Sequence, residues 1–353
     1  MAMEQDEMIK MNKDYTLFTW MAQEKANPVA VAGAKGCYYW DVAGKKYLDF
    51  SSMLMLTNIG HGNERVIQAI KDQADILPYI YPVAATQVRG ELGKKLAEIT
   101  PGDLKKSFFT NGGADAIENA IKIARLYTGK TKIITRQRSY HGGTFVAAAA
   151  GGDPRRHLNQ ENPGWVVRIP DPYAYRSPLY AGVTQEVGDA KLIKMIEETI
   201  RIEDPNSIAA ILLEGYSGSS GIISPSKSFW KSIRKICDDN NILLIDDEVM
   251  SGFGRTGKMF GIEHFDVTPD IMVCAKGLTS GYVPLGAVIV SDKIGKHFDK
   301  NVLNCGLTYN SHALACAAAL ATISVYEDDG LVARAAQMGV KLKTKLAKKV
   351  VQI

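Results

Sequence analysis

From about residue 107 onward, short apolar runs alternate with stretches of helical periodicity, and this alternation leaves the chain few architectures. Residues 107–109, 132–134, 209–213, 242–245, 271–273 and 286–290 read as strands. Across 114–125, Ile117, Ala120, Ile121 and Ala124 recur at i, i+3, i+4 and i+7, which defines one buried face of a helix, and 227–238 behaves similarly. Strands alternating with helices predict an α/β fold: an open, mostly parallel sheet covered by helices. Ahead of this region, 36–49 carries aromatic and β-branched runs around a Gly-containing turn and reads as a hairpin. The first fifty or sixty residues are expected to pack as a separate, smaller unit.

Composition narrows the partners. A chain of 353 residues with 46% hydrophobic and 23% charged content can bury a large core. A net charge of +4 is small for this length, and the basic stretch 341–349 has the spacing of a solvated helix face, so neither nucleic acid nor membrane is an expected partner. The start of the chain is acidic where a signal peptide would be basic, and no segment reaches the roughly 18 uninterrupted apolar residues of a membrane helix. Cys37, Cys237, Cys274, Cys305 and Cys316 are scattered and odd in number, which argues against a disulfide framework or a zinc site. A cytoplasmic location and no bound metal are expected.

Three constellations carry chemistry. In 109–116 a strand ends, Gly112 and Gly113 turn the chain and a helix begins, a place where backbone N–H groups favour an anion; alone it is a weak signal, because such Gly pairs are common. In 241–249 an apolar strand runs into Asp246, Asp247 and Glu248, at the end of the sheet where ligands bind. A cofactor role, a metal site and a solvated loop or helix cap all suit these acids. In 269–278 Lys276 follows a short apolar strand and precedes a Gly-rich turn. Desolvation there lowers a lysine pKa and frees the amine for Schiff-base chemistry, although a lone lysine so placed is usually an exposed loop residue.

Together, 111–125 (NGGADAIENAIKIAR), 139–144 (SYHGGT), 243–257 (LLIDDEVMSGFGRTG), 269–286 (PDIMVCAKGLTSGYVPLG) and 307–319 (LTYNSHALACAAA) resemble the class III aminotransferases, which are fold type I enzymes dependent on pyridoxal 5′-phosphate (PLP). The resemblance covers nearly the whole chain and implies a mostly parallel seven-stranded sheet with helices on both faces. It implies that Lys276 carries PLP as a Schiff base and later moves the proton between Cα and C4′. Asp247 is then the carboxylate that keeps the pyridine nitrogen protonated. Gly113 and Ala114 match the phosphate-binding pair, with Ala114 standing where most relatives have a hydroxyl. Tyr140 and Val249 match the residues on the two ring faces, and Glu214 the glutamate near the ring hydroxyl. His141 matches either a cofactor ligand or a residue that orients the tyrosine loop. Thr308 matches the residue that reaches the phosphate across a dimer interface, which implies a homodimer. Arg255 reads as a loop brace without a catalytic role.

By the same resemblance, 1–60 is the N-terminal segment of a small domain, 61–325 the large PLP-binding domain, and 326–353 the start of a C-terminal small domain that relatives continue and this chain is expected to lack. Regions 15–20 and 51–61 resemble members that pass amino groups from ω-amino acids such as taurine or β-alanine to pyruvate, while the Met- and Leu-rich loop at 53–56 also suits an apolar amine. The expected reaction is transamination from an ω-amino acid or amine to pyruvate or a similar 2-oxo acid. The alternatives are an aminomutase on the same fold, or a truncated PLP-binding chain without turnover. A nucleotide-binding doubly wound domain would need a G-x-G-x-x-G after its first strand, and the sequence has none.

Overall fold

Among the described residues, ten strands form two sheets. The computed structural model describes residues 3–159 and 163–350. Strands β1 (Val31–Lys35), β2 (Tyr38–Asp41) and β3 (Lys46–Leu48) form a small antiparallel sheet, so the expected hairpin gains a third strand. The large sheet contains β4 (Leu104–Thr110), β5 (Lys132–Arg136), β6 (Val166–Ile169), β7 (Ile208–Glu214), β8 (Leu243–Asp247), β9 (Ile271–Cys274) and β10 (Gly286–Ser291), in the order β4-β10-β9-β8-β7-β5-β6. All six strand positions read from the sequence are strands. Two features differ: β6 had no clear signal, and β10 runs antiparallel to both its neighbours.

Both faces of this sheet are covered, and strict alternation along the strands assigns each side chain to one of them. Ile245, Val273 and Val288 pack on the side of helix Gly113–Thr128, whose predicted face of Ile117, Ala120, Ile121 and Ala124 is buried there. Leu244, Met272 and Ile289 face the opposite layer, built from helices Gln87–Ile99, Gln185–Glu203, Lys227–Asn240 and Ala313–Asp328. Ser226 caps the helix Lys227–Asn240 by accepting the Phe229 N–H at 3.1 Å, and the strongly amphipathic face behind it buries Phe229, Trp230 and Ile233. Burying an aromatic or Leu-sized side chain stabilises by about 1.5–3 kcal/mol, so this layer is a large share of what holds the sheet.

The N-terminal segment is tied onto the large sheet close to Lys276. Asn58 Nδ2 donates to the Phe253 carbonyl at 3.0 Å, the Ile59 N–H to Ser280 Oγ at 3.1 Å, and the Tyr282 hydroxyl to the Gly60 carbonyl at 3.0 Å. Just before this anchor, Ser52, Met53, Leu54 and Met55 all have positive φ. Left-handed backbone costs a non-glycine residue roughly 1–2 kcal/mol. The Asp49 carboxylate accepts the Met53 N–H at 3.0 Å and helps hold the turn. Met55 and the following Leu56 are thereby presented to the cavity described next.

Candidate active site

Strand ends build the site. β4, β5, β7, β8 and β9 all finish at one edge of the large sheet, and the residues there surround a cavity of about 400 Å³. In open α/β sheets this edge, beyond the carboxyl ends of the parallel strands, is where ligands bind. Lining it are Gly113, Ala114, Tyr140, His141, Glu214, Asp247, Val249 and Lys276, eight of the nine residues singled out from the sequence.

At one end of the cavity the chain leaves β4 and enters the helix Gly113–Thr128 through Gly112. The first N–H groups of any helix lack intrahelical carbonyl partners and favour an anion. The backbone here is as closely packed as a side chain permits. A Cβ on Gly113 would lie 3.0 Å from Val249 Cγ1, and one on Gly142, whose φ is +134°, would lie 2.4 Å from the Ala114 Cβ. Ala114 offers no hydroxyl, so at that position only the main chain can donate to an anion.

The other end is polar and buried. Asp247 Oδ2 lies 2.7 Å from His141 Nδ1, and Oδ1 accepts the Val249 N–H at 3.0 Å. His141 therefore braces Asp247, and its buried Nε2 has no hydrogen-bond partner among the described residues. Glu214 accepts the Tyr140 N–H on Oε1 and the Gly218 N–H on Oε2, each at 3.1 Å. Burial pushes the Glu214 carboxyl up in pKa, while His141 and Arg136 pull it down. Lys276 sits in a 3₁₀ turn directly beyond β9, with φ +42°. Burial lowers its ammonium pKa, against the pull of Asp247 and Glu214, and so favours the free amine. The Tyr140 ring carries the Arg155 guanidinium 4.0 Å from its centroid, and Arg155 is itself paired with Asp153.

The three consecutive acids separate. Asp247 faces the cavity. Glu248, on the other side of the strand, accepts the Ser251 hydroxyl at 2.6 Å, the Gly261 N–H at 2.9 Å and the Ile262 N–H at 2.7 Å. Asp246 is fully buried on that same side. The sequence had left a metal site or a solvated loop open for this trio; two of the acids are instead the paired last residues of β8. Among the described residues no group of three or more His, Cys, Asp or Glu side chains could hold a metal ion.

Thr308 lies outside the cavity lining, exposed on a loop, where its carbonyl accepts the Tyr79 hydroxyl at 2.7 Å. Arg255 bonds the Asn58 side chain and so does brace the loop that carries the N-terminal anchor. Sequence reasoning passed over Arg136, the charged last residue of β5, although it ends a strand just as Glu214 and Asp247 do. It also passed over Val283, Pro284 and Leu285, which complete the apolar wall.

The profile of the class-III aminotransferases matches residues 20–352. An omega-aminotransferase of Caulobacter vibrioides is 37% identical over 338 residues, covering 90% of this chain and 75% of that protein. The structure of a taurine:2-oxoglutarate aminotransferase from Bifidobacterium kashiwanohense, in complex with PLP and glutamate, superposes with a TM-score of 0.95 at 40% identity, covering all of this chain and 79% of that one. An (S)-enantioselective omega-transaminase from Thermomicrobium roseum gives 0.91 at 36% identity, covering 96% of this chain and 78% of that one. The three named proteins transfer amino groups, which favours transamination over the aminomutase alternative. With the seven-stranded sheet and the lysine, aspartate and glycine turn gathered at its edge, the chain belongs to the class-III aminotransferases and is a PLP-dependent transaminase of fold type I.

Proposed function

We propose that Lys276 holds PLP in this cavity and that the enzyme moves an amino group from an ω-amino acid or amine to pyruvate or a similar 2-oxo acid. The observation that carries this reading is the convergence of Lys276, the Asp247–His141 pair and the Gly112–Gly113 helix start on one cavity. The fit to PLP rests on an anion cradle that a Cβ would crowd and a braced carboxylate lining the same cavity.

Main-chain N–H groups at Gly113 and Ala114 would hold the phosphate. Tyr140 and Val249 would bound the ring, Glu214 would lie near its hydroxyl, and Lys276 Nζ would bond the cofactor covalently. When bound, PLP supplies a ring that draws off the electron pair left when the substrate carbon loses its proton. Asp247 would keep a proton on the facing ring nitrogen; His141 Nδ1 and the Val249 N–H fix the carboxylate for that task. Burial lowers the pKa of the Lys276 ammonium, so once the substrate amine has taken its place on the cofactor the lysine amine would be unprotonated and able to move the proton between the substrate carbon and the C4′ carbon, in one direction in the donor half-reaction and in the other with the acceptor.

Met55, Leu56, Val283 and Leu285 give the cavity an apolar wall, which suits the methylene chain of an ω-amino acid or an apolar amine. The similarity to a taurine:2-oxoglutarate enzyme supports an acidic donor and makes 2-oxoglutarate the acceptor to compare with pyruvate. The reading includes a homodimer in the cytoplasm in which Thr308 completes the neighbouring site. It also keeps 1–60 as an N-terminal segment, 61–325 as the cofactor domain and 326–353 as the start of a small domain. Among the described residues no helix is long and apolar enough to cross a membrane.

Borohydride reduction of the PLP-loaded protein, followed by peptide mass mapping, is expected to place the cofactor on Lys276. Lys276→Ala is expected to lower turnover by roughly four orders of magnitude or more. A label on another lysine, or turnover retained by the Ala variant, would refute the assignment. Incubation with taurine, β-alanine and apolar amines, reading alanine formed from pyruvate against glutamate formed from 2-oxoglutarate, identifies both substrates.

A further inference from the structure

Arg136 is a buried cation to which the proposed chemistry assigns no task. It closes β5 with 0% exposure. Its Nη2 donates to the Glu214 carbonyl oxygen at 2.9 Å, whereas Nε and Nη1 have no hydrogen-bond partner among the described residues. A guanidinium carries five N–H donors, and burying it with donors unmet is costly unless opposite charge compensates. That charge is present. Glu214 at the end of β7, Asp171 beyond β6, and Asp247 and Asp246 at the end of β8 all act on it. Asp171 is itself engaged by Arg138, from Nη1 at 3.1 Å and the backbone N–H at 3.2 Å.

We infer that Arg136 is a positioning residue of the cofactor site: it is the permanent positive charge that keeps Glu214 ionised, and so keeps the Tyr140 and Gly218 walls of the cavity in place. Burial raises the Glu214 pKa, whereas its hydrogen bonds favour the ionised form. Each of its oxygens accepts a backbone N–H, an arrangement natural to a carboxylate but not to a carboxylic acid, one of whose oxygens carries a proton. The groups acting on Glu214 are His141, Arg136 and Asp247, and Glu214 in turn acts on Lys276. His141 is engaged by Asp247 through Nδ1, and Lys276 is the residue that bonds the cofactor. Burial lowers the Arg136 pKa, against the pull of the surrounding acids, but a guanidinium starts so high that it stays charged around neutral pH. The backbone N–H groups that Glu214 holds belong to residues on two separate loops that line the cavity, so losing its charge would loosen both.

This inference rests on the reading that PLP occupies the cavity, and the experiment separates the two. PLP affinity is measured by absorbance titration of cofactor-stripped parent, Arg136→Met, Arg136→Lys, Glu214→Gln and the Arg136→Met/Glu214→Gln double variant, from mildly acidic to mildly alkaline buffer. Arg136→Met is expected to bind PLP roughly ten- to a hundredfold more weakly than the parent at neutral pH. It should recover as the buffer is made alkaline, because losing the counter-charge raises the Glu214 pKa further and alkali restores the carboxylate. Glu214→Gln should show a comparable loss without that recovery, the double variant should be no worse than Glu214→Gln, and Arg136→Lys should stay near the parent. If Arg136→Met does not fold, the double variant, which removes both charges, and Arg136→Lys still decide the matter. A loss in Arg136→Met that ignores pH, or one that adds in full to Glu214→Gln, overturns the inference. Failure of the parent itself to bind PLP would instead overturn the cofactor assignment.

Discussion

Asp247 and its neighbours Asp246 and Glu248 share a strand end and a chemical type, yet lie on opposite sides of the sheet. Asp247 points into the cavity and meets His141; Glu248 points the other way and satisfies the N–H groups of Gly261 and Ile262. Alternation along β8 alone produces this division, since Asp247 follows Ile245 and Asp246 follows Leu244 onto their respective faces. The lesson is that an acid at a strand end is chemical or architectural according to the parity of its position.

The division can be broken by substitution. Asp247→Asn is expected to cut turnover by about 10²–10⁴-fold while the melting temperature stays near that of the parent, because the fold keeps an isosteric side chain and the site loses its charge. Glu248→Gln should do the reverse. Weakening hydrogen bonds to three buried donors is expected to cost about 1–3 kcal/mol in denaturant titrations, with turnover per folded molecule unchanged. Should Glu248→Gln lower turnover as much as Asp247→Asn, the two sides are not functionally distinct.

Asp246→Asn is the smallest effect and the most diagnostic in pH. Burial, then Glu248 and Asp247, push the Asp246 carboxyl well above its ordinary range. The folded protein therefore keeps a proton that the unfolded chain has already released, and this group lowers stability progressively as pH rises above the ordinary carboxylate range. The Asn variant escapes that penalty. Its denaturant midpoint should match the parent's in acid and exceed it increasingly toward neutral pH. Parallel profiles would mean that Asp246 does not hold its proton.

Much of this was legible in the sequence, for a physical reason. Buried strands in a covered sheet are continuous apolar runs, and chemistry at their ends follows directly after them, which is why Asp247 and Lys276 stood out, whereas Glu214 came from the family resemblance. β6 did not, because a four-residue edge strand with half-buried Val167 and Arg168 has neither a clear run nor a clear alternation. Direction was also invisible: an apolar run such as 286–290 is the same whether it lies parallel or antiparallel. Arg136 was missed because a charged residue is ordinarily read as solvated, and only the three-dimensional arrangement reveals acids around it. The left-handed turn at Ser52–Met55 contains no glycine to announce it. Thr308 stands on the family resemblance, since within this chain its side chain is exposed.

The ties from Asn58, Ile59 and Gly60 to Phe253, Ser280 and Tyr282 join points 195 to 222 residues apart. A ribosome delivers the N-terminal partner of each pair first. Met55 and Leu56, which line the cavity, must therefore wait in water while more than half of the protein is synthesised. Contacts of such long sequence separation are slow to form and leave apolar surface open to aggregation meanwhile. The longer this early segment stays unengaged, the longer its apolar side chains are open to aggregation during synthesis.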